Sequence, residues 1–157
     1  MTGDPHPLEA LRAQAAVTPP AGVRAELDAQ AATYRALLVA DGWGSGAEDT
    51  LRRVIGMERK MGMEMRIGLG EHAADLPHRL TAPLAEMDLL GLLEEARATR
   101  TRTLELLDLV LAAPDGVRVW TFGEEVEPAV YLLALRGRLD RLTALVEAAR
   151  LGAPGPT

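Results

Sequence analysis

Residues 131–146 read YLLALRGRLDRLTALV. Tyr131, Leu135, Leu139, Leu142 and Val146 recur at spacings of four, four, three and four. That periodicity places all five on one face of an α-helix, whereas a strand would scatter them over both faces. The spacing predicts a long last helix running to about Arg150. A helix with one apolar face must bury that face against another element, so the rest of the chain has to supply partners for it.

Upstream of this helix, Thr121 and Glu124 have capping-box spacing and are expected to open it. Val117 to Trp120 is the only strand-like stretch and is too short for a sheet. Pro114-Asp115-Gly116 stops a preceding helix that spans roughly Pro83 to Ala112. Its apolar residues Leu89, Leu92, Leu93, Ala96, Leu106, Leu107 and Val110 recur at helical spacing, with a less apolar middle at Arg97, Thr99, Arg100 and Thr103. Residues 70–82 read as a long connection. Before them, Ser45 and Glu48 form a second capping-box pattern, opening a helix that reaches about Ile67 and ends at Gly68-Leu69-Gly70. Its stripe is Leu51, Val54, Ile55, Met61 and Met65. Thr18-Pro19-Pro20 opens another helix to about Ala40, with Thr18 as its N-cap and Pro19 in its first turn. A short first helix runs from about Leu8 to Val17. The expected fold is all-α, a four-helix bundle formed by one domain over residues 1–157, with disordered ends at 1–6 and 152–157.

Composition agrees. The chain has 157 residues, 48% of them hydrophobic and 25% charged, and only 3% aromatic. Leu and Ala dominate the apolar set, and both favour helix over strand. Cysteine is absent, which removes disulfides, thiolate metal sites and a cysteine nucleophile. The first residues lack the basic and apolar regions of a signal peptide, and no apolar run is long enough to span a membrane. A cytoplasmic protein is therefore expected. The net charge of −6 argues against nucleic acid as a partner. The locally basic Arg97–Thr103 segment follows Glu94 and Glu95 and reads as helix-surface pairing.

Two patterns resemble the DinB/YfiT-like family of bacterial four-helix bundles. One is Trp43 followed by Ser45, Glu48, Leu51, Val54 and Glu58, which is similar to the tryptophan that opens the family's second bundle helix. The other is Thr121 to Leu142, ending LRGRLDRL, which is similar to the terminal helix where the family usually carries His-Glu-x-x-His. The resemblance implies a three-histidine site for a divalent metal such as zinc or nickel, thiol-dependent transferase or isomerase activity, a homodimer, and a stress or damage setting. This chain departs from that pattern. Leu135 and Leu139 stand at the two last-helix positions. The second-helix position falls on Leu51, Arg52 or Arg53, of which Leu51 is favoured because it lies on the apolar stripe. Only His6, His72 and His78 occur in the chain, none within a bundle helix. The metal site is expected to be lost to leucine packing, leaving no cofactor.

Four residues remain as candidates for a pocket or a buried polar site: Glu58, Arg97, Arg100 and Trp43. Glu58 falls in the middle of an otherwise apolar stripe, and a buried carboxylate needs a partner or a raised pKa. Arg97 or Arg100 is the expected counter-charge. The favoured role is an ion pair that fixes helix register; the alternative is an acid–base or ligand-binding group. Trp43 and Trp120 are expected at helix entrances. Met57, Met61, Met63 and Met65 read as core filling, with Met63 facing away, rather than as a soft-metal site. His72 and His78 could share an ion with Glu71 or Asp75 but read as loop histidines. These readings favour a metal-free, non-enzymatic DinB-like protein that binds a small molecule or a partner. The alternatives are a metal- and thiol-dependent transferase with substitute ligands, and a homodimeric scaffold.

Overall fold

The chain's computed structural model describes residues 7–72 and 83–151. Among these it is mainly helical, with α1 Pro7–Ala15, α2 Pro20–Leu38, α3 Ala47–Gly68, α4 Leu89–Ala112 and α5 Pro128–Arg150. A 3₁₀ turn at Leu84–Glu86 precedes α4, and a ribbon of β1 Val119–Thr121 and β2 Glu124–Val126 precedes α5. None of the described helices is long and apolar enough to cross a membrane. The expected disordered ends, and most of the 70–82 connection, lie outside the described residues.

The stripe on α5 is the centre of the core. Tyr131, Leu135, Leu139, Leu142 and Val146 are all buried. So are Leu51, Val54, Ile55, Met61 and Met65 on α3, and Leu92, Ala96, Leu106, Leu107 and Val110 on α4. On α2 the buried face is Val23, Leu27, Ala31, Tyr34 and Leu38. α3 packs against both α4 and α5, α2 packs against α5 and α4, and α1 lies on α5.

Helix starts differ from the sequence reading, each time for a local reason. α2 begins at Pro20, with Pro19 rather than Thr18 as N-cap and no side-chain cap. A residue before proline is held extended, so Pro20 keeps Pro19 out of the helix. α3 is not opened by a Ser45–Glu48 box. Gly46 is its N-cap at φ 82°, and no side chain caps it. Glu48 and Asp49 instead face the positive end of the helix dipole and pair with Arg52, at 3.5 and 3.0 Å. α4 starts at Leu89 and not at Pro83, because Asp88 accepts a hydrogen bond from the Gly91 N–H at 2.8 Å and caps it.

The largest correction concerns residues 117–127. Thr121 and Glu124 do not open α5. They face each other across the ribbon, in the register Val119↔Val126, Trp120↔Glu125, Thr121↔Glu124. The strand-like stretch therefore does pair, as half of a hairpin. Its turn, Phe122-Gly123, has φ of 51° and 80°, the doubly left-handed geometry whose twist suits a two-residue hairpin. α5 starts four residues beyond Glu124, at Pro128, where the missing N–H costs nothing. Trp120 is thus not at a helix entrance but on β1, 58% exposed. The hairpin lies so close to the end of α3 that a Cβ on Gly68 would sit 2.9 Å from the Arg118 carbonyl oxygen.

Candidate functional site

The four candidate residues separate into two places, one inside the molecule and one on its surface. Inside, Glu58 from α3 and Arg100 from α4 form an ion pair in which both side chains are 1% exposed. Arg100 Nε donates to both carboxylate oxygens, at 3.1 and 3.2 Å. Its Nη2 lies 3.1 Å from Oε1 without hydrogen-bond geometry. Thr103, on the same helix as Arg100, donates its hydroxyl to Glu58 Oε2 at 2.7 Å. From α2, the Tyr34 ring lies beneath the guanidinium with its centroid 4.0 Å from Cζ. Gln30, also on α2, accepts from Arg100 Nη1 at 3.3 Å and donates to Asp140 of α5. One polar layer thus crosses from α3 through α4 and α2 to α5.

Helical geometry explains why Arg100 and not Arg97 answers Glu58. Ala96, Arg100, Thr103, Leu107 and Val110 follow one another at spacings of four, three, four and three, on the face α4 turns inward. Arg97 is one residue past Ala96, about 100° further round the helix, and is exposed. Thr103, Gln30, Tyr34 and Asp140 were not singled out from the sequence as members of this layer. Only Thr103 had a usable signal, being i+3 to Arg100. The Glu58 carboxylate already accepts from a guanidinium and a hydroxyl and is closed to solvent. That arrangement suits holding helices in register and not receiving a substrate.

Burial raises the Tyr34 phenol above the ordinary tyrosine range, reinforced by the Glu58 charge and partly opposed by Arg100. Tyr131 is raised in the same sense, first by burial and then by Glu64, which accepts its hydroxyl at 2.9 Å. Glu64 in turn holds Arg138 of α5 at 2.8 Å. A third group centres on Glu95 of α4, which pairs with Arg59 of α3 at 3.0 Å and with Arg102 of its own helix at 2.6 Å. Burial would raise the Glu95 carboxyl, but the hydrogen bonds from Arg59 and Arg102 outweigh it and hold it below its ordinary value.

On the surface, Trp43 and Arg97 line one groove of about 430 Å³ with Leu38, Val39, Leu90 and Leu93. Trp43 is fixed there because its indole Nε1 donates to the Ala40 carbonyl at 2.8 Å. Val39 and Leu90 are 75% and 67% exposed. Asp41 and Glu94 share the rim with Arg97, and the Arg97 guanidinium has no ion-pair partner among the described residues.

Leu51, Leu135 and Leu139, the positions matched to metal ligands by resemblance, are each 0% exposed within the apolar core. Full burial contributes about 1.5–3 kcal/mol for each. Leucine offers no lone pair, so these three side chains do not fit an ion. His72 is exposed. His6, His78 and Asp75 lie outside the described residues. Met61 and Met65 are in the core, while Met57 and Met63 are 39% and 36% exposed. Comparison of the chain with protein-family models, with curated proteins and with solved structures found no match.

Proposed function

We propose that this protein is a DinB-like four-helix bundle that has exchanged metal chemistry for binding, and that it takes a small-molecule ligand or a partner in the Trp43–Arg97 groove. The bundle reading is supported by α2, α3, α4 and α5, four long helices packed through single apolar faces. The loss of metal chemistry is supported by three buried leucines at the matched positions. The observation that carries the binding reading is the groove itself. It joins a fixed aromatic ring, exposed aliphatic side chains and a guanidinium without an ion-pair partner among the described residues, in a volume within the range of ligand pockets. An amphipathic occupant would cover Leu90 and Val39 and meet charge at the rim.

The test uses Trp43 as its own reporter. In the Trp120→Phe variant Trp43 is the sole tryptophan. Compounds selected from a fragment library by changes in its emission should lose affinity in Leu90→Ser and in Arg97→Gln. Compounds that bind both variants as tightly as the parent would defeat this assignment.

A further inference from the structure

A different groove, between α3 and α5, has a more definite chemistry. It has a volume of about 280 Å³. Its apolar lining comes from Met57 and Met61 of α3 and Leu142 and Leu145 of α5. Two of these are methionines, unbranched and adaptable side chains that reshape around an apolar guest. The polar lining is entirely cationic: Lys60, the chain's only lysine, and Arg138 and Arg141.

These cations differ in what they have left to give. Arg138 is committed to Glu64, at 2.8 Å, and sits over the Phe122 ring at 5.8 Å. Glu64 is itself occupied by Arg138 and the Tyr131 hydroxyl. Lys60 and Arg141 are exposed and have no carboxylate partner among the described residues. A protein of net charge −6 therefore keeps two cations, without a carboxylate partner among the described residues, at the mouth of an apolar groove on two facing helices.

We infer that this groove is a binding site for a small amphipathic anion, an alkyl chain carrying one carboxylate or phosphate head. The chain lies between Met57, Met61, Leu142 and Leu145, and the head is clamped between Lys60 and Arg141. Charge-assisted hydrogen bonds from an ammonium and a guanidinium are strong enough to select an anionic head over a neutral one. Arg138, neutralised by Glu64, adds no net charge, so the clamp rests on Lys60 and Arg141. The site lies on other helices than the Trp43 groove and stands or falls independently of it.

The experiment is a titration of the full chain, with methyl-labelled methionine, followed by NMR. Decanoate should shift Met57 and Met61 together and saturably, leaving the methyls of Met63 and Met65 in place. Decanol should bind at least about tenfold more weakly, the loss expected from even one of the two charge-assisted contacts. Lys60→Gln with Arg141→Gln should weaken decanoate by about the same factor while leaving decanol unchanged. Both side chains are exposed, so the variant is expected to fold. Equal binding of decanol, unchanged decanoate affinity in the double variant, or shifts spread over all the methionines would each overturn the proposal. So would shifts produced by phosphatidylglycerol vesicles but not by free decanoate, because that would place a bilayer headgroup at the cations with the groove empty.

Discussion

Arg100 meets Glu58 across the α3–α4 interface with one nitrogen shared between both carboxylate oxygens, at 3.1 and 3.2 Å, and both side chains are closed to water. The pair is tied to α2 through Gln30 and Tyr34 and onward to α5 through Asp140. Breaking such a pair on one side strands the other charge in a low-dielectric interior.

Glu58→Ala should therefore cost about 3–5 kcal/mol in denaturant unfolding. Glu58→Gln should also destabilise, since it keeps the shape and removes the charge. The double replacement Glu58→Leu with Arg100→Met should cost less than either single change, because it leaves no buried charge behind. A cost for Glu58→Ala of less than about 0.5 kcal/mol, the size of an ordinary surface substitution, would contradict the buried pair.

Leu135→Ala opens a cavity in the buried face of α5, and the expected cost is about 2–5 kcal/mol. Leu135 is fully buried, so the value should fall toward the upper end if its neighbours cannot collapse inward. Thermal and denaturant unfolding of the variant beside the parent decide it.

Zinc and nickel should not stabilise the untagged protein beyond weak surface binding, since the residues at the matched positions are hydrocarbon. An ion that binds only the folded state, at about a hundred times its dissociation constant, adds about 2.7 kcal/mol. A melting curve would show that plainly. One ion per chain found by elemental analysis would return the substitute-ligand enzyme to first place.

Both tyrosines of the chain are buried with raised phenol pKa values. A phenol whose folded pKa lies above its unfolded value stabilises the fold fully below the ordinary value of 10.0, and that contribution is lost as pH rises beyond it. Phenolate absorbance should therefore stay flat through the ordinary tyrosine range and rise together with alkaline unfolding followed by circular dichroism. Phenolate appearing near the ordinary value in protein that is still folded would mean that water reaches the rings.

Much of the helical framework was legible because burial on a helix leaves a periodic trace in the chain. The stripes from Tyr131 to Val146 and from Leu51 to Met65 carry it. Glu58 stood out for the same reason, as a charge in an apolar series. Helix starts were less legible, because cap preference is local and competing signals sit side by side. Gly46 displaced Ser45, Pro20 displaced Pro19 from the first turn, and the Phe122-Gly123 turn drew Thr121 and Glu124 into a ribbon.

Read alone, the residues settle which faces must be buried, that a buried Glu58 needs a partner or a raised pKa, and that Leu135 and Leu139 offer a metal no lone pair. Each of these follows from one residue's chemistry and its place in a helical period. That Glu58 pairs with Arg100, and that Thr103, Gln30 and Tyr34 complete the shell, comes from the packing of the helices. That packing alone brought Trp43 and Arg97 to one groove, and Lys60 and Arg141 to another. These pairings depend on the rotation of one helix against another. That rotation is set by how all the apolar faces pack at once, and no single stretch of chain records it.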